Sequence, residues 1–386
     1  MSDENPDKGP LLELRGALDT LDRELLDLLV RRMKVVEEIA ERKRSHRVRI
    51  RDLARERRIL DDRCARAEEL GLPPDGIESI WRQLMLMSRE RQAALRAEVP
   101  PDVEAKTVAI VGGQGGMGRS LESLFDDLGH RVLIADIETE LRPSEAATRA
   151  DVVVISVPIR DTRQVIEQLG PLLRSDALLM DVTSIKRDPM DAMLSSTKAS
   201  VVGTHPMFGP GVNTYQGQRV VLCPGRGDEW FEWVRQMFTA RGLLITEASA
   251  EEHDSMMAIV QVLHHFKTQV LGLSLSRSGA ALEETLRFTS PAYLLETYVT
   301  GRHFAQSPEL YGPIEMLNPD SRAVISVFQQ AAADLASILE KQDQAAFDEV
   351  FRSVREFFGP FTEEALDQSG FLIDRLVELS AGRTSP

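Results

Sequence analysis

Apolar residues recur every three or four positions from Leu11 to about Lys43, and this spacing predicts a single long helix. Such a helix extends for ~50 Å, which is too long to be buried within one compact domain. Two further helices are expected over 52–69 and 74–97, because Gly71 and a pair of prolines interrupt the pattern between them. One very long helix and two shorter ones indicate a bundle that a partner chain completes. The periodic positions are Leu11, Leu14, Leu18, Leu21, Leu25, Leu28, Val35 and Ile39.

Beyond a short linker, the pattern changes to short apolar runs that alternate with helical segments. The run Thr107–Val111 leads directly into a glycine-rich turn, and a helix follows it to Leu128. This alternation is typical of a parallel sheet with helices on its faces. Arg219–Cys223 is a candidate edge strand, and from about Ser249 only long amphipathic helices are expected. The other strands are expected at 131–136, 151–157, 178–182 and 200–205.

Composition and charge narrow the class of protein. The 386 residues are 42% hydrophobic and 28% charged, with a formal net charge of −15, which is ordinary for a globular protein. Nine basic residues between Arg42 and Arg58 form a positive patch, which is either a solvated helix face or a site for a small anion. Nucleic acid is the less favoured partner, because the whole chain is acidic and no aromatic residues interleave the arginines.

The cysteines and the N-terminal residues indicate the cellular compartment in which the protein is expected. Cys64 and Cys223 lie far apart in the chain, so no disulfide framework and no metal site are expected. Residues 1–10 are polar and lack the apolar core of a signal peptide. No stretch approaches the length of a membrane span, so no membrane partner is expected. A cytoplasmic location is therefore the expectation.

The glycine-rich turn matches the dinucleotide fingerprint Gly113-x-Gly115-x-x-Gly118 between an apolar strand and a helix. Its glycines permit a tight turn, close approach of a pyrophosphate and close packing of the helix on the strand. Asp136 ends the next strand eighteen residues after Gly118, where a carboxylate would hold the adenosine ribose hydroxyls. An acid there favours NAD over NADP, although an aspartate after a strand is also a common turn residue.

These patterns predict a multidomain chain. Residues 1–99 are expected to form an all-α bundle, and residues 105–247 a Rossmann-type α/β domain with a parallel sheet. Residues 248–386 are expected to form an all-α domain that packs on the sheet domain and offers a dimerisation surface. A homodimer is therefore expected.

Candidate catalytic side chains follow two strands of the predicted sheet. His205 begins the segment His-Pro-Met-Phe-Gly-Pro at the carboxyl end of a strand, where ligands bind in open parallel sheets. A histidine there suits general-base work, whereas a lone histidine is more often structural. Ser184 and Lys186 follow the preceding strand and are candidates to place a hydroxyl and an ammonium at the same mouth.

The chain resembles the prephenate dehydrogenase family over most of residues 105–360. Leu294 is a departure, because some relatives have an arginine there. The resemblance implies oxidative decarboxylation of prephenate to 4-hydroxyphenylpyruvate with NAD, and arogenate stays an alternative substrate. The motifs that carry it are G-G-Q-G-G-M-G at 112–118, S-V-P-I at 156–159, T-S-I-K at 183–186, H-P-M-F-G-P at 205–210, E-H-D at 252–254, H-H-F at 264–266, and S-P-A-Y with G-R-H-F-A-Q between 290 and 306.

This resemblance also implies residue roles. His205 would accept the hydroxyl proton while hydride leaves the carbinol carbon for NAD. Arg302 would grip a substrate carboxylate, unless it only forms a surface ion pair. His265 matches a histidine of the substrate pocket, whereas His253 and Asp254 match either pocket residues or the start of a helix. The other implied contacts are Ser184 and Lys186 with substrate, and Met117, Ser156 and Pro158 with NAD.

Residues 14–92 resemble the all-helical chorismate mutase family almost without interruption. Chorismate is a dicarboxylate, and its rearrangement to prephenate is pericyclic. The protein therefore has to hold the compact conformer and place donors where charge develops on the ether oxygen. In this family a positive patch of this kind would attract the dicarboxylate substrate. The matching pieces are L-R at 14–15, L-D at 21–22, R-R at 31–32, Lys43, R-D-L-A-R-E at 51–56, and Ser88 with Gln92.

The mutase resemblance implies a pocket of polar side chains with different tasks. Arg15 and Arg32 would bind carboxylates. Lys43 and Gln92 would approach the ether oxygen. The side chains that would engage the ring hydroxyl, order the arginines or complete the pocket are Asp52, Arg55, Glu56 and Ser88.

Helical spacing supports this pocket independently. Ser88 and Gln92 fall at i and i+4, and residues 52, 55 and 56 fall at i, i+3 and i+4, so each set shares a helix face. Arg15 and Arg32 are seventeen residues apart, which is ~25 Å along one helix. If both serve one site, one of them comes from a second chain. The spacing therefore predicts an intertwined homodimer with shared mutase sites.

Together the two resemblances imply a bifunctional enzyme of tyrosine biosynthesis, which makes prephenate and then oxidises it. Feedback inhibition by tyrosine is common in such enzymes, and no residue here reports it. One alternative keeps the dehydrogenase and treats residues 1–99 as an inactive regulatory domain or a plain dimerisation bundle. Another is a non-catalytic NAD-binding sensor.

Overall fold

The computed structural model describes residues 8–45, 53–96, 104–212 and 214–381. The chain divides into two compact units. The first contains residues up to 156 together with 168–182 and 196–247. The second contains residues 157–167, 183–195 and 248 onward. Among the described residues, no helix is both long enough and apolar enough to cross a membrane.

The N-terminal residues form three helices, as the periodicity predicts. The first is unbroken over 38 residues, which confirms the single long helix. The second ends near Gly71, whose φ of +72° lies in the left-handed region that favours glycine at a helix end. The third begins at Pro74, a preferred residue for a first helical turn. The bounds are α1 Lys8–Ser45, α2 Leu53–Glu69 and α3 Pro74–Arg96.

The N-terminal half of α1 carries an apolar face that none of the residues described by the structure covers. Val36 and Ala40 are buried near its C-terminal end, where α1 packs against α3. Toward the N-terminus, by contrast, the leucines of the predicted stripe are about half exposed or more, from Leu11 at 48% to Leu14 at 68%. Because water-exposed apolar surface costs ~25 cal/mol per Å², a contiguous face of this kind is typical of an interaction surface.

The first unit also contains a seven-stranded sheet in the order β2-β1-β3-β4-β5-β6-β7. β1 to β5 are parallel to their neighbours, β6 runs antiparallel to β5, and β7 is parallel to β6. The parallel α/β fold expected from the sequence is therefore confirmed. The bounds are β1 Thr107–Val111, β2 Arg131–Ala135, β3 Val152–Ile155, β4 Leu178–Asp181, β5 Ser200–Pro206, β6 Arg219–Arg226 and β7 Leu244–Glu247.

The prediction of an edge strand at Arg219–Cys223 is wrong. That strand, β6, is longer and lies inside the sheet, because β7 pairs with its free side. β7 itself was not predicted, since it has only four residues and most of them are exposed. A strand this short carries no alternation that distinguishes it from a loop.

Central strands are buried on both faces, which explains their continuous apolar sequences. Every residue of β3 and β4 is buried. The core also includes Phe125 and Phe238, which lie on helices that contact the sheet strands. Phe125 lies on α4 Gly116–Asp126 and Phe238 lies on α8 Asp228–Ala240, and a third helix, α5 Pro143–Arg149, also contacts the sheet.

The second unit is helical, as expected from Ser249 onward. Ser249 caps its first long segment by accepting the Glu252 N–H, and Ser290 and Ser307 cap two later helices in the same way. A π-helical segment, Ala258–Leu263, joins the helices on either side of it. The bounds are α6 Ile159–Leu169, α7 Arg187–Ser196, α9 Ala250–Met257, α10 His264–Arg277, α11 Leu282–Arg287, α12 Pro291–Phe304, α13 Pro308–Leu317, α14 Ser321–Lys341, α15 Gln344–Phe358 and α16 Phe361–Ala381.

Candidate functional site

The glycine turn lies between β1 and α4 and leaves the start of the helix open. A Cβ on Gly118 would be 2.6 Å from the Gly112 carbonyl oxygen, so only glycine allows this close packing. Gly115 precedes α4 and makes no side-chain cap, which leaves backbone N–H groups directed out of the helix start. Such a helix N-terminus attracts phosphate through its N–H groups and its dipole. The turn therefore fits a dinucleotide.

Asp136 follows β2 and lies beside this turn. One oxygen of its carboxylate accepts the Gln114 N–H at 3.1 Å, and the other accepts the Ile137 N–H at 2.8 Å. These bonds fix a carboxylate next to the glycine turn, where ribose hydroxyls would be held. Of the other residues predicted to contact NAD, Met117 packs on the core and Ser156 is half-buried. Pro158 is exposed and belongs to the second unit.

His205 is buried near the end of β5, with 2% of its surface exposed. It pairs in register with Val221 of the antiparallel strand β6. The preceding residue, Thr204, donates a 2.5 Å hydrogen bond to the Asp181 carbonyl at the end of β4. The backbone that carries His205 is thus held on both sides, which gives the imidazole a fixed base.

The segment that contains Ser184 and Lys186 is held by Asp254. The Asp254 carboxylate accepts the N–H groups of Lys186 and Arg187, at 2.7 and 3.0 Å, and so caps α7. Burial acts to raise the pKa of Asp254, but hydrogen bonds from His253 and from these two backbone groups hold it below its usual value. Asp254 thus caps the start of α7, a helix that precedes its own in the chain.

Lys186 is completely buried, and Ser184 is half-buried. The Lys186 ammonium donates to the Thr183 hydroxyl at 3.2 Å. The Lys186 ammonium, which was expected at the mouth of the site, therefore lies beneath the surface of this segment. The Ser184 side chain, by contrast, is partly exposed at that surface.

His265 lies on α10 in a cluster of rings in the second unit. Its ring packs edge-on against Tyr311 at 4.7 Å and lies 5.5 Å from the ring of His303. Burial, and then the neighbouring His303 and His264, lower the pKa of His265 to about 4. Its imidazole is therefore neutral at physiological pH. Arg302 lies on α12 in the same unit and is exposed.

Three predicted mutase residues meet between α1 and α3. The Arg32 guanidinium donates to the Ser88 hydroxyl at 2.6 Å and to the Leu84 carbonyl at 3.1 Å. Gln92 is buried one turn further along α3, and its Oε1 has no hydrogen-bond partner among the described residues. Burial lowers the pKa of Arg32. A guanidinium therefore binds the same helix, α3, that carries a buried amide oxygen without a partner one turn further along.

Glu56 is fixed by a residue that the sequence did not single out. Arg89 donates to the Glu56 carboxylate at 2.8 Å, and both side chains are about one-fifth exposed. Arg89 follows Ser88 directly, but nothing in the spacing indicates which way its side chain turns. Arg55 is exposed.

Three further predicted mutase residues are Arg15, Lys43 and Asp52. Arg15 is exposed on α1, the same unbroken helix that carries Arg32. A separation of seventeen residues therefore corresponds to ~25 Å along the helix axis. The side chain of Lys43 and the whole of Asp52 lie outside the described residues.

Comparisons with known proteins match this architecture domain by domain. Residues 14–93 match the family model for chorismate mutase type II. Residues 116–246 match the nucleotide-binding domain of prephenate dehydrogenase, and residues 249–353 match its dimerization domain. A crystal structure of prephenate dehydrogenase from A. aeolicus, in complex with hydroxyphenyl propionate and NAD+, has a TM-score of 0.54 and 20% identity. It covers 66% of this chain and 97% of its own, and shows the shared fold.

Relatives with both parts cover nearly the whole chain. The T-protein of Enterobacter agglomerans is 38% identical over 94% of this chain and 97% of its own length. The T-protein of Haemophilus influenzae is 35% identical over 96% and 98%. The chain therefore belongs to the T-protein family: it is a chorismate mutase fused to a prephenate dehydrogenase, a bifunctional enzyme of tyrosine biosynthesis.

Proposed function

We propose that this enzyme forms prephenate in a domain of residues 1–99 and oxidises it with residues 105–247 and 248–386. The observation that carries the first step is the hydrogen bond from Arg32 on α1 to Ser88 on α3, with Gln92 buried one turn further along α3. These residues come from two helices, α1 and α3, and match the positions implied by the mutase resemblance. The boundaries are proposed from the linker composition and from the end of strand patterns near residue 247.

The mutase step requires shape and charge rather than a nucleophile. Arg32 would bind one carboxylate of chorismate through its planar guanidinium, which Ser88 already orients. The Gln92 amide and the Lys43 ammonium would donate to the ether oxygen as it gains negative charge. Side chains fixed before substrate arrives lower the barrier, because the compact conformer is selected without reorganisation. The remaining contacts would come from Asp52, Arg55 and Glu56.

The dehydrogenase step uses NAD. Gly113, Gly115 and Gly118 would let the pyrophosphate approach the start of α4, and Asp136 would hold the adenosine ribose. When bound, NAD accepts the hydride that leaves the carbinol carbon of prephenate. Further contacts with NAD are proposed for Met117, Ser156 and Pro158.

His205 would take the proton of the substrate hydroxyl, a task for which imidazole is the usual side chain near neutral pH. Arg302 would hold a substrate carboxylate, since an exposed guanidinium forms bidentate pairs with carboxylates. Ser184, Lys186 and His265 would line the substrate site. Loss of carbon dioxide then yields an aromatic ring, which makes the step essentially irreversible.

A homodimer with shared mutase sites is proposed from α1. Arg15 and Arg32 lie on one unbroken helix, too far apart to bind one small molecule together. The uncovered leucines around Arg15 indicate that a second chain packs along this half of the helix. Arg15 of that second chain would then complete the pocket of Arg32. A cytoplasmic location and inhibition by tyrosine stay predictions.

Chain mixing tests the shared site. An Arg15→Ala chain and an Arg32→Ala chain are each expected to lack mutase activity. When equal amounts of the two chains are unfolded and refolded together, about half of the dimers should be heterodimers. One of the two sites in each heterodimer is intact, so about a quarter of all sites should be restored. Verified heterodimers without mutase activity would contradict the proposal. Dehydrogenase activity with added prephenate serves as the control for folding.

A coupled assay tests the order of the two reactions. The purified chain receives chorismate with and without NAD, and chorismate loss and NADH formation are followed together. Chorismate loss without NAD, with NADH formed only when NAD is present, is expected. NADH from added prephenate but no chorismate loss would contradict the mutase proposal. Arogenate supplied in place of prephenate tests the alternative substrate.

A further inference from the structure

His303 is a buried side chain to which the proposed reaction gives no task. It lies on α12, next in sequence to Arg302, with 8% of its surface exposed. Its ring stacks on Tyr311 at 4.0 Å with an angle of 24° between the planes. Tyr311 in turn contacts His265 edge-on at 4.7 Å. A single tyrosine ring therefore links the two imidazoles.

A hydrogen-bond chain fixes the orientation of His303. The Gln269 amide nitrogen donates to Glu315 Oε1 at 2.6 Å and lies 3.1 Å from His303 Nε2. An amide nitrogen carries two hydrogens and accepts none, so His303 Nε2 must be the acceptor. The opposite amide orientation would direct an oxygen at the Glu315 carboxyl group. His303 is therefore held as the tautomer with its proton on Nδ1.

His265 has a polar atom left over in this cluster. Its Nδ1 is buried, lies 3.9 Å from Glu315 Oε1 and has no hydrogen-bond partner among the described residues. Buried polar atoms without a partner are rare in proteins and often mark a functional position. Gln269, His303, Tyr311 and Glu315 also line a cleft of about 1010 Å³, large enough for a small molecule.

We infer that His303 is a positioning residue of the dehydrogenase, which fixes the His265 ring through Tyr311 and the Gln269–Glu315 pair. The inference rests on the proposed role of His265 in substrate binding. His303 does not need to touch the substrate for this role. It holds the surface against which the His265 ring packs, so that Nδ1 of His265 keeps one direction.

Electrostatic interactions in the cluster also connect His303 to His265. The titratable groups that face His265 are His264 on α10, His303 on α12, and Tyr311 and Glu315 on α13. After burial, His303 is the largest contribution that lowers the pKa of His265. Removal of His303 is therefore expected to raise the pKa of His265 and move its protonation toward neutral pH.

His303→Phe tests the inference, because phenylalanine keeps the stack on Tyr311 but cannot accept from Gln269. At neutral pH its kcat/KM for prephenate is expected to fall about 10- to 100-fold, as a small misplacement of a substrate-binding group does. The loss should appear mainly in the KM for prephenate, with the KM for NAD unchanged. The acidic limb of the pH profile should also move to higher pH.

A double-mutant cycle with His265→Asn shows whether His303 acts through His265. If it does, His265→Asn lowers kcat/KM, and His303→Phe has no further effect in that background. Losses that multiply, or a His303→Phe enzyme with normal kinetics, would overturn the inference alone. A His265→Asn enzyme with normal kinetics would overturn both the inference and the proposed role of His265.

Two controls separate positioning from folding and from charge. Mutase activity in the same samples should stay at the wild-type level, because its residues lie on α1 to α3. His264→Gln removes a neighbouring imidazole. Among the described residues, it removes no side-chain hydrogen bond. It should move the acidic limb without lowering kcat/KM at neutral pH. An equal loss in His264→Gln and His303→Phe at neutral pH would contradict a role specific to His303.

Discussion

The Arg32 guanidinium on α1 donates a 2.6 Å hydrogen bond to the Ser88 hydroxyl on α3, fifty-six residues later in the chain. The same hydroxyl donates to the Leu84 carbonyl one turn earlier on its own helix. Ser88 therefore accepts from one side and donates to the other, so its orientation is determined. The guanidinium is held in place before any substrate arrives, which is what electrostatic catalysis of a pericyclic step requires.

Ser88→Ala is expected to lower mutase kcat/KM and leave the dehydrogenase unchanged. A hydrogen bond to a charged group contributes about 1.5–3 kcal/mol, so a loss of about 10- to 100-fold is expected. Ser79→Ala is the matched control, because Ser79 is a buried serine of α3 that also donates to the carbonyl four residues earlier, Asp75. Chorismate consumption at several concentrations measures both variants. Equal loss in the two variants would contradict a role for Arg32 orientation.

Arg89→Gln and Arg91→Gln compare a largely buried ion pair with an exposed ion pair, both formed by arginines of α3. Arg89 holds Glu56 with both side chains about one-fifth exposed, whereas Arg91 and Glu37 are 47% and 40% exposed. Exposed pairs contribute only about 0–1 kcal/mol, so Arg91→Gln should change mutase activity less than about twofold. Arg89→Gln should lower it by about tenfold, because Glu56 loses its fixed position.

Mutase kinetics and urea unfolding together show whether Arg89 contributes to mutase activity or only to the stability of the fold. If Arg89→Gln loses only stability and keeps the kcat and KM of the wild type, Glu56 needs no orienting partner. In that case Arg89 would be a structural residue.

The spacing of apolar residues predicted the long helices and the central strands. A face that packs against other residues requires apolar side chains at a regular spacing. The apolar runs of β1, β3 and β4 follow directly from burial of these strands. The leucines of α1 follow the helical repeat, although the described residues leave them about half exposed or more. β7 was missed because an exposed strand of four residues leaves no such pattern. The π-helical segment Ala258–Leu263 was missed for a similar reason, since one wider turn inside a helix shifts the apolar face too little to be visible.

Site residues were predictable where a motif fixes both the residue and its element. The glycine turn and Asp136 are of this kind. The partners that orient a site residue were not predictable, because they depend on which rotamer a side chain adopts across an interface. Arg89 on Glu56 and Gln269 on His303 are two such partners. The role of Asp254 also required the structure, since its capping partner α7 lies sixty-eight residues away.

Gly118→Ala is expected to weaken NAD binding while mutase activity persists. A Cβ there would lie 2.6 Å from both the Gly112 oxygen and the Gly113 Cα, so the turn has to open. The concentration of NAD for half-maximal rate should rise about tenfold or more, equivalent to at least ~1.4 kcal/mol of binding. Gly211→Ala is the control, since its Cβ would meet nothing within 4 Å. Normal NAD saturation in Gly118→Ala would show that the turn tolerates a side chain.

His130 predicts a dependence of stability on pH. It is buried, and its Nδ1 accepts the Lys106 N–H at 3.1 Å, so the ring is neutral in the folded state. Burial, and then the charge of Lys106, lower the pKa of His130 below the ordinary value of 6.5. The unfolded chain therefore binds more protons at this position than the folded one. Stability should be constant above about pH 6.5 and fall as the pH drops below it.

His130→Phe should remove this contribution, because phenylalanine keeps the packing against Phe125 and Trp233 but cannot titrate. Between pH 5 and 6.5 the free energy of unfolding of the wild type should fall more steeply than that of the variant, by at most about 1.4 kcal/mol per pH unit. Urea unfolding followed by tryptophan fluorescence measures both, since the Trp233 ring lies 5.3 Å from His130. Other histidines titrate alike in the two proteins, so the difference in slope isolates His130. Identical slopes would show that His130 has the same pKa folded and unfolded.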